Sequence, residues 1–413
     1  MHSNSSVVIV GAGQAGYQVA ASLRQEGFEG AITLVGDEPG VPYQRPPLSK
    51  AYLLGKVGAA ALRFRPPEYF DEHRITRIHD SATAIDRERC ELVLASGKKL
   101  SYDHLVLATG ARNRIPAVTG IELDGVFGLR SLTDADALSQ RLGSAKRAVV
   151  IGAGFIGLEF AAVAAARGIS VDVLELGTRP MARAISSITS RVFDQAHARW
   201  GVRIHYGQSL AAIQGEAGQV TSVQLASGEV LPTDLLVYGI GVLPNAELGS
   251  DAGLAVHNGI VVDTQLLTSD PAISAIGDAV SFPSPWSAQP IRLESVQNAV
   301  DQAKTVAARL MGKPANYAAL PWFWTDQGEL KLQIAGLSDG HDATVVLGSI
   351  EQHQMSVLCF RAGRLIAVES CNRPADHMAA RKLIARNTPL SAAEAAVAGF
   401  DLKAFEASTR ETA

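Results

Sequence analysis

Two stretches of the chain show the same order of apolar strand, glycine-rich turn and helix. In the first, residues 7–10 predict a buried strand, residues 17–25 a helix and residues 32–35 a second strand. The same order returns 141 positions later, with strands at 148–151 and 170–174 around a second helix. Unbroken apolar strands joined through a helix are typical of parallel sheets covered on both faces. The pattern therefore predicts two Rossmann-type units in one chain.

The pattern changes at the aromatic run 321–324, after which short β-type segments dominate. The predicted elements are antiparallel strands at 331–337, 344–350, 355–360 and 365–369 and a helix at 375–385. We therefore expect an α/β protein of three domains. The first unit covers 1–110 and 246–319, the second is inserted as 111–245, and an α+β domain covers 320–413.

A glycine-rich turn follows the first strand of each unit, GAGQAG at 11–16 and GAGFIG at 152–157. Glycine permits the tight turn and lets backbone N–H groups reach a pyrophosphate at the positive end of the following helix. One such turn alone is weak evidence, because purely structural glycine turns join many strands to helices. Two copies in the same context predict two dinucleotide sites.

A carboxylate follows each turn near the position where it would bind the adenosine ribose. Asp37 lies 21 residues after the first turn, and Glu175 lies 18 residues after the second. Glu175 would hydrogen-bond the 2′-hydroxyl of NAD and repel the 2′-phosphate of NADP, which favours NADH. Arg179 and Arg183 argue the other way, because an arginine can bind that phosphate. Two nucleotides in one chain indicate an electron relay between NADH and a bound FAD.

Composition narrows the class of protein. The 413 residues are 47% hydrophobic and 19% charged, which is typical of folded α/β chains and excludes a disordered one. A formal net charge of −4 provides no field that would hold a polyanion, so we expect no nucleic-acid partner. Residues 148–166 have the length of a membrane span, but three glycines divide them into strand, turn and helix, so we expect no membrane association.

The cysteines and histidines bear on metal binding and on the cellular compartment. Cys90, Cys359 and Cys371 are scattered and form no CxxC pair, so neither a disulfide framework nor a zinc site is indicated. The ten histidines show no ligand spacing, and we expect no metal. Together with a short polar N-terminus that lacks the layout of a signal peptide, these features predict a cytoplasmic location.

Six motifs carry a resemblance to a known family. They are 11–16 (GAGQAG), 42–50 (PYQRPPLSK), 108–110 (ATG), 276–278 (IGD), 294–299 (ESVQNA) and 322–327 (WFWTDQ). With these motifs the chain resembles, over nearly its whole length, the FAD-dependent NADH:ferredoxin reductases of bacterial oxygenase systems. The resemblance implies a glutathione-reductase-like fold, with FAD in the first unit, NADH in the second and a C-terminal α+β domain.

The resemblance also implies which residues bind the cofactors. Those implied for FAD, including the first glycine turn, are Gly11, Gly13, Ala15, Gly16, Asp37, Lys50, Ala82, Arg130, Asp278 and Val296. Those implied for the co-substrate NADH are Gly152, Gly154, Phe155, Ile156, Glu159, Glu175, Arg183 and Gly241. Trp324 and Gln297 are expected to border the flavin. Packing in the core is the alternative for Trp324, and capping a helix or forming an Asx-turn is the alternative for Asp278.

Lys50, Glu159 and Trp324 are the implied catalytic residues. Lys50 follows two prolines at a predicted helix start, where an ordinary surface lysine is the alternative. Glu159 is a carboxylate inside an apolar helix, and a buried charge requires a partner. By the resemblance this partner is Lys50, and the pair lies beside the flavin, where it positions the nicotinamide.

No cysteine occurs between residues 1 and 89, where disulfide reductases of this fold carry a Cys-x4-Cys pair. Without a thiol relay, electrons leave the flavin directly, and a flavin can release them singly. We therefore predict an electron-transfer flavoprotein with a one-electron acceptor, and the resemblance implies that this acceptor is a two-iron two-sulfur ferredoxin reduced with electrons from NADH. The ferredoxin would feed a haem-thiolate monooxygenase or a dioxygenase. The alternatives are an NADH reductase of rubredoxin or nitrite-reductase type, and a flavoprotein similar to apoptosis-inducing factor that acts through partner binding.

Overall fold

The computed structural model describes residues 5–410, which form two compact units. The first contains the chain up to Gln44 together with Ala60–Arg112 and Val242–Ala319. The second contains Arg45–Ala59, Asn113–Gly241 and the chain from Leu320 onward. The limits of the three domains drawn from the sequence stay predictions. Helices and strands are numbered along the whole chain.

A five-stranded parallel sheet forms the core of the first unit. From one edge to the other its strands are β19 (Ile273–Ala275), β7 (His104–Leu107), β1 (Ser6–Val10), β2 (Ala31–Gly36) and β3 (Ile75–His79). Helices α1 (Gln14–Gln25) and α8 (Val296–Leu310) pack against each other. The predicted strands at 7–10 and 32–35 are confirmed, and α1 begins three residues earlier than predicted.

The other elements of the first unit are short. They are α3 (Pro67–Glu72), the antiparallel strands β4 (Ala82–Asp86), β5 (Glu91–Leu94) and β6 (Lys99–Ser101), α7 (Glu247–Asp251), and the paired strands β18 (Ile260–Val261) and β20 (Val280–Ser281). Three elements lie where the chain passes from one unit to the other: α2 (Ala59–Leu62), β8 (Ala111–Asn113) and β17 (Val242–Pro244).

The second unit contains its own five-stranded parallel sheet. Its strands in order are β12 (Val202–Tyr206), β11 (Ser170–Glu175), β10 (Arg147–Ile151), β16 (Leu235–Tyr238) and β9 (Val126–Gly128). Its helices are α4 (Leu132–Leu142), α5 (Phe155–Ala166) and α6 (Ser187–Arg199), and an antiparallel sheet is formed by β13 (Leu210–Glu216), β14 (Gln219–Leu225) and β15 (Val230–Pro232). The apolar stretch 148–166 is divided into β10, a turn and α5, as predicted. Across residues 5–410, every helix is too short or too polar to span a bilayer.

An antiparallel sheet completes the second unit. Its strands in order are β21 (Trp322–Gln327), β22 (Leu330–Gly336), β25 (Arg364–Cys371), β24 (Gln354–Arg361) and β23 (Ala343–Ser349). Helix α9 (Pro374–Ala385) packs on β22 and β25, and the chain then forms α10 (Ala392–Ala395) and α11 (Leu402–Ser408). The strands and the helix predicted for this region are confirmed.

His377 on α9 is a buried imidazole in this C-terminal region. It is 1% exposed, and its ring packs edge-on against Trp322 with 5.7 Å between the ring centroids. Within residues 5–410, neither of its ring nitrogens has a hydrogen-bond partner. Burial, followed by the positive charge of Arg381, lowers the pKa of His377 to about 4. Because an unfolded histidine has a pKa of about 6.5, the stability that neutral His377 contributes is complete above that value and is lost as the pH falls toward the folded pKa.

We expect His377→Phe to remove part of the sensitivity of the fold to acid. Between pH 7 and pH 5 the wild-type chain should lose about 2 kcal/mol of folding free energy at this site, since one pKa unit corresponds to about 1.4 kcal/mol. The thermal unfolding midpoint, measured at both pH values, checks this. His257→Phe, at an exposed position, serves as the control. An unchanged pH dependence in His377→Phe would contradict the expectation.

Candidate functional site

The first glycine turn joins β1 to α1. Gly11 has a φ of +105°, and a Cβ there would lie 2.1 Å from the carbonyl oxygen of Ala108. A Cβ on Gly16 would lie 1.9 Å from the oxygen of Gly11, so both positions exclude a side chain. A Cβ on Gly13 would meet nothing within 4 Å, and none of the described side chains caps α1. The turn therefore leaves the first N–H groups of α1 available to a pyrophosphate.

A second segment of the first unit lies against this turn. A Cβ on Gly277 would be 3.2 Å from the Cβ of Ala15, which places the 3-10 turn Gly277–Ala279 beside the start of α1. The N–H of Gly277 donates to Oε1 of the buried Gln302 at 2.7 Å. Asp278 is inside this turn, whose N-cap is Ile276, so Asp278 does not cap a helix. The start of α1, with Ala15, and the turn that contains Asp278 thus lie next to each other, and both residues are predicted for FAD.

Three more residues predicted for FAD lie in the first unit. Val296 is the first residue of α8, which packs against α1. Asp37 is exposed directly after β2, at the same end of the sheet as the glycine turn, because the N–H of Gly11 donates to the carbonyl of Val35 at 2.8 Å. Ala82 begins β4 opposite Leu94, in the small antiparallel sheet. The structure groups Asp37 and Val296 with elements around the turn, whereas Ala82 lies outside the parallel sheet.

The remaining residues expected near the flavin are divided between the units. Gln297 is buried in the first unit, and its Nε2 donates to Asp301 Oδ2 at 2.7 Å. Lys50 and Arg130 belong to the second unit. The carbonyl of Arg130 accepts a hydrogen bond from Arg45 Nη1 at 2.8 Å.

The second glycine turn, between β10 and α5, repeats the geometry of the first. A Cβ on Gly152 would lie 2.6 Å from the oxygen of Gly239, and one on Gly157 would lie 2.2 Å from the oxygen of Gly152. A Cβ on Gly154 would have its nearest neighbour 3.8 Å away, and none of the described side chains caps α5. Both turns therefore fit the pyrophosphate of a dinucleotide, and the second does so with residues predicted for NADH.

Glu175 ends β11 beside this second turn. Its Oε2 accepts the N–H of Ala153 at 2.8 Å, and its Oε1 accepts the N–H of Gly177 at 2.7 Å. Each carboxylate oxygen retains a further lone pair that can accept a hydroxyl. The carboxylate is thereby fixed next to the turn, where a ribose hydroxyl would be hydrogen-bonded and a phosphate repelled.

The two arginines after β11 have different roles. Arg179 donates to the carbonyl oxygens of Ala182 and Ile185 at 2.8 and 2.9 Å, so its guanidinium holds its own loop together. Arg183 is exposed on that loop, and its Nη2 would lie 3.7 Å from a Cβ on Gly241. The structure therefore brings together Arg183 and Gly241, both predicted for NADH, and leaves Arg183 as the arginine that a ligand can reach.

Lys50 and Glu159 form the predicted ion pair, with 2.8 Å between Nζ and Oε1. Their side chains are 17% and 5% exposed. Glu159 projects from α5, and Lys50 stands at the end of a 3-10 turn, Pro46–Ser49, where the sequence predicted a helix start. The prolines stand at the first two positions of the turn, where proline is tolerated, and the turn ends because the backbone of Lys50, at φ −130° and ψ −103°, lies outside the helical region. The surface-lysine alternative for Lys50 is wrong, because its ammonium is half-buried against a carboxylate.

Sequence reasoning missed two further partners of Glu159. The hydroxyl of Ser49 donates to Oε2 at 2.5 Å, and the hydroxyl of Thr325 donates to Oε1 at 2.7 Å. Thr325 is fully buried on β21. A signal was present in the sequence, because polar side chains two residues apart in an apolar strand share one buried face, as Thr325 and Gln327 do.

Trp324 lies on the opposite face of β21 from Thr325. It is half-buried, with 5.5 Å between its ring centroid and that of Trp322. Phe155, at the start of α5, packs against Phe323 with 4.6 Å between centroids, and Ile156 next to it is 37% exposed. The start of α5 thus combines an anchored aromatic ring with an exposed apolar side chain.

Comparison with known proteins places the chain in a family. It matches the model described as Pyridine nucleotide-disulphide oxidoreductase over residues 5–303 and the model described as Reductase C-terminal over residues 322–406. Rhodocoxin reductase from Rhodococcus erythropolis is 50% identical over 408 residues, covering 98% of this chain and 96% of that protein. Putidaredoxin reductase CamA from Pseudomonas putida is 41% identical over 396 residues, covering 94% of each chain.

Two solved structures agree with this result. The ferredoxin reductase for the CYP199A2 system from Rhodopseudomonas palustris has a TM-score of 0.96 at 50% identity, covering 98% of this chain and 100% of that one. The covalent putidaredoxin reductase–putidaredoxin complex has a TM-score of 0.96 at 39% identity, covering 99% and 100%. The predicted fold, with two Rossmann-type units and a C-terminal α+β domain, is confirmed. The chain therefore belongs to the pyridine nucleotide-disulphide oxidoreductase family, whose members use a flavin and NAD(P), and it contains a Reductase C-terminal domain.

Proposed function

We propose that the chain is an FAD-dependent NADH:ferredoxin oxidoreductase that passes single electrons to a two-iron two-sulfur ferredoxin and through it to an oxygenase. One observation carries the proposal: two glycine turns with uncapped helix starts occur together with a buried lysine–glutamate pair. The similar proteins are named as reductases of rhodocoxin and putidaredoxin, which supports the choice of an iron-sulfur carrier.

The residues of the first unit suit FAD. FAD, when bound, accepts a hydride from NADH and returns electrons one at a time. The uncapped N–H groups at the start of α1 would bind its pyrophosphate, and Asp37 would accept hydroxyls of its adenosine ribose. Asp278 offers a carboxylate to the hydroxyls of the ribityl chain, and Val296 offers a backbone N–H at the start of α8.

Lys50 and Glu159 would hold charge at a fixed place beside the cofactors. An ammonium has three N–H donors, of which Glu159 accepts one, so two remain for a bound ligand. Glu159 compensates the charge of Lys50 and stops the side chain from turning toward solvent. We assign to this pair the positioning of the nicotinamide for hydride transfer. We assign to Trp324 a place bordering the flavin.

The cysteines support one-electron transfer rather than dithiol chemistry. Burial, followed by the charge of Glu369, raises the pKa of the Cys359 thiol, and burial, followed by the charge of Glu329, raises that of Cys371 to about 12. A thiol with a raised pKa carries little reactive thiolate at neutral pH. Cys90 is half-buried, and its thiol donates weakly to the carbonyl of Arg87. The segment around Lys50 contains no cysteine.

NADH is the proposed co-substrate because Glu175 is fixed where a 2′-phosphate would meet a negative charge. The cytoplasmic location and the absence of nucleic-acid and membrane partners remain predictions from the composition of the chain.

A rubredoxin is the second candidate for the electron acceptor. The rubredoxin-NAD(+) reductase of Pseudomonas putida is 38% identical over 370 residues, which are 89% of this chain and 96% of that protein. This candidate differs from the first only in the electron carrier that docks. The two are therefore distinguished by which carrier the reduced protein reduces faster.

Anaerobic reduction by NADH, followed by mixing with acceptors, tests the proposal. We expect a yellow protein that is bleached by NADH and then reduces two ferredoxin molecules for each NADH consumed. The panel contains a two-iron two-sulfur ferredoxin, a rubredoxin, a quinone and a disulfide. A colourless protein, or fastest turnover with the disulfide or the quinone, would overturn the proposal. Fastest turnover with the rubredoxin would select the second candidate.

A further inference from the structure

A chain of buried polar groups extends from Glu159 within the second unit. Nε2 of Gln327 lies 3.3 Å from the hydroxyl oxygen of Thr325, and Oε1 of Gln327 lies 2.8 Å from Nε2 of His197. Thr325 and His197 are fully buried, and Gln327 is 1% exposed. Five residues from four separate segments, Lys50, Glu159, His197, Thr325 and Gln327, are thus hydrogen-bonded in one line.

The direction of these hydrogen bonds follows from the chemistry of the groups. The single hydroxyl proton of Thr325 is donated to the carboxylate of Glu159. Thr325 can therefore only accept from Gln327, which must donate through its amide nitrogen. The amide oxygen of Gln327 then accepts a hydrogen bond from the Nε2–H of His197. Every donor in the line points toward the carboxylate.

His197 is suited to the far end of this line. Burial lowers its pKa, although Gln327 and Asp194 act in the opposite direction, so the imidazole is neutral near pH 7. Its Nδ1 has no hydrogen-bond partner within residues 5–410, so the one ring proton resides on Nε2. From there it is shared in a hydrogen bond with Oε1 of Gln327. A neutral donor can polarise the line without adding a charge to the buried region.

We propose that Thr325, supported by Gln327 and His197, is a positioning residue that holds the Glu159 carboxylate directed at Lys50. This inference rests on the proposed function, in which the Lys50–Glu159 pair positions the nicotinamide. By this proposal, strand β21 of the C-terminal region contributes to hydride transfer, because Thr325 and Gln327 lie on it. A carboxylate that loses such a donor turns more freely, and its remaining contact with the ammonium is held less firmly.

Thr325→Val tests the proposal, because valine keeps the shape of threonine and removes the hydroxyl. We expect the limiting rate of flavin reduction by NADH to fall about tenfold, while the dissociation constant of NADH changes less than about twofold. The midpoint potential of the bound flavin should become more positive, because the charge of Lys50 is then less compensated.

Matched variants separate positioning from general packing. Thr325→Ser, which keeps the hydroxyl, should restore the rate of flavin reduction and the midpoint potential. Thr233→Val is the control, because within residues 5–410 the hydroxyl of this buried threonine meets backbone groups alone. These are the carbonyls of Leu235 and Arg147 and the N–H of Leu235. Gln327→Met should cause a smaller loss in the same direction, and it decides the question if Thr325→Val does not fold.

Each outcome decides for or against the proposal. Loss in Thr325→Val with recovery in Thr325→Ser and no effect in Thr233→Val supports it. Equal behaviour of Thr325→Val and wild type overturns it, as does an equal loss in all three threonine variants. If wild-type protein binds no flavin or is not reduced by NADH, the proposed function itself has failed, and the comparison of variants is not reached.

Discussion

Lys50→Met is expected to slow the reduction of the flavin by NADH about 100-fold or more, because a fixed positive charge beside the reacting groups is removed. The same variant should be less stable. Glu159 would remain buried without its cation, and breaking a buried pair from one side costs about 3–5 kcal/mol. Stopped-flow reduction and thermal unfolding of the same preparations measure the two effects.

The two effects can be separated by a double variant. Lys50→Met combined with Glu159→Gln removes both charges, so it should recover much of the stability and none of the rate. Lys56→Met is the control, since Lys56 is an exposed lysine a few residues along the same segment. If Lys50→Met keeps the wild-type rate of flavin reduction and the wild-type flavin content, the assignment of Lys50 is wrong.

Glu175→Arg is expected to shift the preference from NADH toward NADPH. The change removes a carboxylate that would hydrogen-bond the ribose, and it places a cation where a 2′-phosphate would lie. Since a hydrogen bond to a charged group contributes about 1.5–3 kcal/mol, the ratio of kcat/KM for the two nucleotides should change by about 100-fold. Steady-state kinetics with each nucleotide gives the ratio.

Two further variants show whether position or charge alone is responsible. Glu175→Gln removes the charge and keeps the shape, so its ratio should be intermediate. Leu176→Arg adds the same cation one residue later, at a side chain that is 74% exposed, and it should change the ratio far less. A ratio in Glu175→Arg equal to that of wild type would show that this carboxylate does not select the nucleotide.

Features fixed by local chemistry could be predicted from the sequence. The glycine turns could be predicted because close backbone contact and a positive φ exclude other residues at Gly11 and Gly152. The need of Glu159 for a partner could be predicted because it stands in an otherwise apolar helix, and the resemblance implied that the partner is Lys50. The roles of the predicted cofactor residues, which follow from the resemblance, remain proposals.

Features that depend on distant segments were not predicted. Thr325 and Glu159 are 166 residues apart in sequence, and only the packing of β21 on α5 brings them together. The use of Arg179 to hold its own loop also depends on where the carbonyl oxygens of that loop point, which no local pattern reveals. Lys50 ends a 3-10 turn because its own backbone leaves the helical region, which apolar periodicity does not reveal.

The loop held by Arg179 has a consequence for how fast a nucleotide can exchange. The hydroxyl of Ser190 donates to the carbonyl of Pro180 at 2.6 Å, and Glu369 accepts from the N–H and the hydroxyl of Ser186 at 2.7 Å each. A segment already ordered in the free protein loses little conformational entropy when a ligand arrives. A nucleotide can therefore bind without ordering of this loop, so we expect its association rate not to be limited by a conformational change of the loop.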